Sequence, residues 1–175
     1  MPVARRCAAL IVGVTAVLTL SLAPGTGRHA SAAAAETVLR VGGEGAPSLT
    51  LRDADLAHLP RTVVRVPEPA GTVATYAGVL VRGILALAGV PLGEPLRGDR
   101  LALYVMVEAA DGYRVVFALP ELDAALTDRV VLLADRRDEQ PLPAAEGPLR
   151  LVIPTEQRHA RWVRQVVALS IRRAP

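Results

Sequence analysis

The sequence predicts an α+β domain, mainly β and mixed, with a few short inserted helices. Three observations carry this. Short alternating or wholly aliphatic runs recur along the chain; Gly, Pro and Asp punctuate them at spacings that suit antiparallel neighbours; and helical periodicity is confined to brief stretches. The 175 residues are 51% apolar but 3% aromatic, enough for one domain with an aliphatic core. No strand-helix-strand rhythm with a glycine-rich phosphate loop is present, which argues against a nucleotide-binding α/β sheet.

Residues 1–35 stand apart. Arg5 and Arg6 precede the apolar run Ala8 to Leu22, and Ala30-Ser31-Ala32 opens a small-residue tract, the layout of a bacterial export signal cleaved at about 32–35. The run is about 15 residues, short of the roughly 20 that span a bilayer, so no stable membrane span is expected after cleavage. The expected product is residues 36–175, periplasmic or secreted. Arg5-Arg6 suits folded export through the twin-arginine route, whereas Cys7-Ala8-Ala9 suits ordinary unfolded export equally well.

Export also changes the charge argument. All 20 basic residues are arginine, and cleavage removes Arg5, Arg6 and Arg28, leaving 17 arginines against 17 acids. The basicity of the whole chain belongs to the signal, so a nucleic-acid partner is not expected. Cys7 is the one cysteine, which excludes disulfides, cysteine-ligated metal and a cysteine nucleophile from residues 36–175.

The elements follow in order. Thr37 to Val41 alternates and meets Gly42-Gly43, a strand and a turn. Ser48 to Leu51 is a second strand. Asp53 stands where an N-cap belongs, ahead of a short helix Ala54 to Leu59 that Pro60 stops. Arg61 to Val66 and Thr72 to Tyr76 are β-rich and joined by the loop Pro67 to Gly71. Gly78 leads into Leu80, Ile84, Leu85, Leu87 and Ala88 at helical spacing, closed by Gly89, with Arg82 facing away. Pro91 to Arg100 is a loop, and Leu101 to Val107 reads as a strand buried on both faces. Asp111-Gly112 suits a type I′ turn pairing Leu103–Ala109 with Tyr113–Leu119. Pro120 starts a helix to Leu126, with Glu121 and Asp123 near its positive end. Val130 to Ala134 is a strand, Asp135 to Pro141 a polar reversal, and Glu146 to Pro154 a Gly-Pro turn and strand. His159 to Gln165 gives a helical turn around Trp162, and Val167, Leu169 and Ile171 alternate in a last strand. The total is about eight strands.

Familiar hydrolytic and metal patterns are missing. Ser48 and Ser170 are the serines after the signal, both inside predicted strands and neither in a Gly-x-Ser-x-Gly elbow. His58 and His159 are isolated and lack metal-ligand spacing. Glu121 with Asp123, and Asp138 with Glu139, are explained by helix-end and turn chemistry. Two groupings hold more interest. Arg150, Arg158, His159, Arg161 and Arg164 crowd around Trp162, a set able to hold a phosphate or carboxylate; the plainer alternative pairs these arginines with Asp135, Glu146 or Glu156. Tyr76, Glu108, Asp111 and Tyr113 flank the apolar strands, where turn chemistry and cross-strand packing account for them equally.

The stretches "ATYAGVLVRGILALAGVPLG", "ALYVMVEAADGYRVVFALPELD", "VLLADRRDEQPLPAAEGPLRLVIP" and "ARWVRQV", taken in that order, resemble the molybdopterin-binding domain of the sulfite-oxidase-type oxidoreductases. The resemblance covers Tyr76 to Val166 and rests on the order of several motifs. It implies a mixed, mainly-β fold and a molybdenum-pterin cofactor whose metal is held by a protein cysteine in the segment before the Gly-Val helix. Here that segment, Arg61 to Tyr76, has no cysteine, and no other residue type supplies the same soft ligand. Where longer relatives have a glycine-containing loop before a basic residue and Trp, this chain has only Thr155 to Ala160. The resemblance makes Arg150, Arg158, His159, Arg161 and Trp162 the candidate cofactor-binding residues, toward the pterin phosphate. No catalytic or metal-ligating residue is assigned.

Three functions remain: a molybdopterin-dependent oxidoreductase or carrier; a cofactor-free module binding a small anionic ligand or a protein; and an accessory subunit for an envelope redox protein. The missing cysteine favours the cofactor-free module, because fold alone does not carry activity.

Overall fold

The computed structural model describes residues 38–68 and 71–175; the export signal read from residues 1–35 lies outside the described residues. Among the described residues, ten strands form two sheets. The first contains β1 (Val38–Gly43), β2 (Ala46–Arg52), β5 (Leu103–Ala109), β6 (Arg114–Ala118) and β10 (Val166–Arg173), in the order β2-β1-β10-β5-β6. The second contains β3 (Arg61–Pro67), β4 (Val73–Leu80), β7 (Leu132–Arg137) and β8 (Gln140–Pro141) in that order, with β9 (Arg150–Val152) also paired to β7. The α-helices among the described residues are α1 (Asp53–Ala57) and α2 (Val81–Leu87). Pairing is antiparallel except between β1 and β10, which run parallel. The architecture is the mainly-β mixed one that the sequence predicts, with more strands than expected.

One core serves both sheets. Leu39 and Val41 of β1, Val105 and Val107 of β5, Phe117, Leu169 and Ile171 join Val66, Ala74, Leu132, Leu133 and Leu151 from the second sheet in a contiguous buried cluster. Alternation directs this: in β1 the buried Leu39 and Val41 follow the exposed Val38 and Arg40. In α2, Val81, Ile84, Leu85 and the capping Ala88 are buried, the i, i+3, i+4, i+7 stripe expected of an amphipathic helix, while Leu87 is exposed. Each fully buried Leu or Ile contributes about 2 kcal/mol of transfer free energy.

Several elements differ from the sequence expectation, each for a local reason. Gly42-Gly43 is not a turn. β1 runs through both, Gly43 faces Ile171 in the parallel register, and the reversal falls at Glu44-Gly45. Asp53 is the first helical residue and not the cap; Asp55 instead accepts the N–H of Arg52 at 2.8 Å. Gly78 does not open the helix but sits inside β4, where a Cβ would come within 2.1 Å of the Leu133 carbonyl oxygen, at the register shift between β4 and β7. β4 therefore reaches Leu80, and the helix starts one residue later. Leu101 lies in a 3-10 turn, Gly98–Ala102, ahead of β5.

The Asp111-Gly112 hairpin pairs the expected strands, with Val107 opposite Val115, but its turn is of another kind. Only Gly112 has positive φ, at 85°; its N–H donates to Ala109 O, and the N–H of Ala109 to Tyr113 O. This is a three-residue loop ending in a left-handed glycine, stabilised by the Asp111 carboxylate accepting the Tyr113 N–H at 2.9 Å. The turn with two positive-φ residues occurs in the second sheet, at Asp138 (49°) and Glu139 (67°) between β7 and β8. The predicted helix Pro120–Leu126 shrinks to one 3-10 turn, Leu119–Leu122, because Asp123 is drawn inward. Its carboxylate accepts the N–H groups of Gly93 and Ala125, at 2.5 and 2.8 Å. β7 starts at Leu132 and continues to Arg137, through residues expected to reverse the chain. The predicted turn around Trp162 is a 3-10 turn at His159–Arg161.

Candidate functional site

The aromatic core of the candidate site is a chain of three rings. His159 stacks on Trp162, with centroids 3.7 Å apart and planes 12° from parallel, and Trp162 meets Tyr76 edge-on at 6.1 Å. Trp162 is buried because the 3-10 turn tucks its indole beneath β9, where Nε1 donates to the Ile153 carbonyl at 3.2 Å. Arg150, on β9, places its guanidinium 5.5 Å from both the Tyr76 and the Trp162 rings.

Arg150 is committed inside the fold. Its Nη1 donates to a Glu146 carboxylate oxygen at 2.5 Å and to the Tyr76 hydroxyl at 3.2 Å, and only 11% of the side chain is exposed. The Tyr76 hydroxyl in turn donates to Glu68 at 2.8 Å, and the second Glu68 oxygen accepts from Arg137 at 2.8 Å. Glu68, Tyr76, Arg150, Glu146 and Arg137 thus form one polar network that links the residue after β3 to β4, β7 and β9. Burial, and the hydrogen bond to Glu68, push the Tyr76 phenol up to about 12. The Nε of Arg150 is buried without a partner among the described residues.

Arg161 turns the other way. It lies 4.4 Å over the Phe117 ring, forms an ion pair with Glu156, stands 3.8 Å from Glu121 and reaches the Val116 carbonyl. That carbonyl belongs to β6, the outer strand of the first sheet, and Glu121 also accepts the Ala118 N–H of the same strand at 3.0 Å. Arg161 and Glu121 therefore cap an exposed strand edge. Arg158 and Arg164 are exposed, and their guanidinium groups have no hydrogen bond or ion pair among the described residues.

The five residues selected from sequence are thus divided. Arg150, His159 and Trp162 come together; Arg161 leaves for the β6 edge; Arg158 points to solvent. The alternative pairing of arginines with nearby acids is realised for Arg150 with Glu146 and Arg161 with Glu156, while Asp135 pairs with Arg61 at 2.6 Å. The flanking polar residues separate similarly. Glu108 pairs across strands with Arg114 at 3.1 Å, and Tyr113 donates its hydroxyl to Ala160 O at 2.8 Å. Glu68, Arg137 and Gln165 carry no signal in the sequence. Glu68 sits in a Pro-rich loop, Arg137 in an expected reversal, and Gln165 acts through its backbone and through a side-chain amide that donates to Ala144 O.

A cavity of about 330 Å³ opens beside His159 and Trp162 and is lined also by Asp111, Tyr113, Arg164 and Gln165. Its size is at the lower end of small-molecule pockets, roughly 300–1,000 Å³.

The donor set does not match a thiolate-held molybdenum. Residues 36–175 contain no cysteine, and among the described residues no group of three or more His, Asp or Glu side chains gathers to hold a metal ion. Nor is the anticipated phosphate cradle assembled, since two of its three arginines are already paired with carboxylates of the chain itself.

Comparison with known proteins places this geometry in a family. No curated protein sequence matches the chain. The crystal structure of the sulfane dehydrogenase SoxCD from Paracoccus pantotrophus shares the fold, with a TM-score of 0.60 and 22% identity over 77% of this chain and 38% of that one. The chain therefore spans well under half of that relative. The profile of the oxidoreductase molybdopterin binding domain matches residues 28–175, most of the length and all of the described fold. The protein belongs to the oxidoreductase molybdopterin binding domain family.

Proposed function

We propose that this chain is an exported, cofactor-free member of the family, a module that binds a small anionic ligand in the cavity beside His159 and Trp162. One observation carries the reading: Arg150, the best-placed buried cation of the anticipated cofactor seat, is neutralised by Glu146 and hydrogen-bonded to Tyr76. A buried guanidinium that already holds a carboxylate has little electrostatic attraction left for a phosphate. Arg158 and Arg164, both exposed, have no carboxylate partner among the described residues, and Arg164 lines the cavity, which suits a small ligand bound near the surface. The absence of a cysteine from residues 36–175 supports the same reading, because the family's metal depends on a thiolate.

Metal and pterin analysis of the protein purified from the envelope and medium of its own cell tests this. Neither molybdenum nor pterin is expected in stoichiometric amount. Stoichiometric molybdenum, or the fluorescence of an oxidised pterin released on denaturation, would overturn the proposal in favour of a molybdopterin-dependent oxidoreductase or a redox accessory protein.

A further inference from the structure

Two cavities of similar size can be compared by what their charges do. The one lined by Glu44, Arg100, Leu103 and Arg173, about 380 Å³, is internally satisfied: Arg173 holds Glu44 at 2.6 Å and the Asp99 carbonyl, and Arg100 holds the Pro95 carbonyl. The one beside His159 is not. Asp111 and Arg164 line it together, opposite in sign, and neither has an ion-pair partner among the described residues. They are not within 4 Å of one another, so each presents its charge separately. The ring nitrogens of His159, on the same wall, make no hydrogen bond among the described residues either.

Gln165 holds this arrangement in place. It adopts φ 49°, a left-handed conformation that costs an ordinary residue about 1 kcal/mol or more and persists only where its surroundings enforce it. Three hydrogen bonds do so. Its carbonyl accepts from Ala110 at 2.9 Å, its N–H donates to Glu146 O at 2.8 Å, and its side-chain amide donates to Ala144 O at 2.8 Å. One residue thereby joins the three segments that wall the cavity: the 109–113 hairpin with Asp111, the 144–146 loop, and 159–165 with His159 and Arg164. Such pre-ordering lowers the entropy lost on binding.

We infer that this cavity takes a zwitterionic ligand of α-amino-acid type, its carboxylate on Arg164 and its ammonium on Asp111. The inference rests on the ligand-binding reading above and narrows its anionic group to the carboxylate of a ligand that also carries an ammonium. A plain anion satisfies Arg164 but is repelled by Asp111; a cation does the reverse; a molecule carrying both charges satisfies both. Guanidinium meets carboxylate in a bidentate fork, and the Asp111 oxygen not engaged with the Tyr113 N–H is available to an ammonium donor.

The test is calorimetric titration of the whole exported chain with the standard L-α-amino acids, each beside its des-amino carboxylic acid and its decarboxylated amine. At least one amino acid is expected to bind at or below about 1 mM, with both single-charge analogues weaker by about tenfold or more. Asp111→Asn retains the oxygen that holds the Tyr113 N–H, so the hairpin persists; this variant is expected to lose about tenfold toward the amino acid and to gain affinity for the des-amino acid, which Asp111 no longer repels. Arg164→Ala is expected to weaken both. Failure of every amino acid to bind at about 10 mM would overturn the inference. So would equal affinity for the amino acid and its des-amino acid, which leaves a plain anion site and the proposed function standing. Stoichiometric molybdenum or pterin in the same preparation identifies failure of the proposed function instead.

Discussion

Arg150, on β9, holds the hydroxyl of Tyr76, on β4, at 3.2 Å, although the two residues are 74 apart in sequence. That hydroxyl accepts from Arg150 while donating to Glu68, so a single phenol oxygen ties a surface loop to the interior of the second sheet. Tyr76→Phe removes the oxygen and leaves both neighbours their other partners, Glu146 and Arg137. The expected loss is about 1–2 kcal/mol in urea unfolding, with an unchanged denaturant slope.

Alkaline pH probes the same group. The Tyr76 phenol is raised from 10.0 to about 12 by burial and by the bond to Glu68, so the folded state keeps its proton where the unfolded chain loses it. The stabilisation is therefore complete below about pH 10 and declines as pH rises from 10 through 12, by roughly 3 kcal/mol in all. Unfolding measured across this range should show the decline in the native chain and a shallower one in Tyr76→Phe. Parallel pH profiles would remove Tyr76 as the source.

Arg161 serves the strand edge in this structure. Arg161→Ala uncovers the Val116 carbonyl and leaves Glu156 without its cation, at an expected cost of about 1–3 kcal/mol. Sedimentation at high protein concentration is expected to show increased self-association through β6. Affinity for a ligand in the His159 cavity should stay unchanged, which separates this residue from Arg164.

Gly78→Ala tests close backbone approach. The new methyl group would meet the Leu133 carbonyl at 2.1 Å and the Ala134 Cα at 2.6 Å, both backbone atoms that cannot rotate away. A loss of about 2 kcal/mol or more is expected by thermal or urea unfolding, since β4 and β7 must separate to admit it.

Legibility in the sequence varies with the range of the interaction. The hairpin Leu103–Ala118 and the buried stripe of α2 follow from alternation and period over a few residues, and both are present where the sequence places them. The type of the Asp111-Gly112 turn differs from the sequence expectation because the choice between a two- and a three-residue loop depends on where Ala110 finds an acceptor. That acceptor is Gln165, 55 positions away. The sequence places Gly78 ahead of the helix and does not reveal that the Leu133 carbonyl crosses it.

The sequence by itself determined a mainly-β domain, an aliphatic core, the family resemblance, and the lack of any thiol in residues 36–175 to hold a metal; these depend on residue type, order and short-range period. Only the tertiary structure decided which arginines remain available. Glu146 and Glu156 lie near these arginines along the chain and are readable there as partners, but Glu156 is two residues from Arg158 and five from Arg161, and it is the fold that gives it to Arg161, as it gives Glu146 to Arg150. A charged side chain is spent or available according to what the fold sets beside it. That is a property of distances in space, and spacing in sequence names the candidate partners without choosing among them.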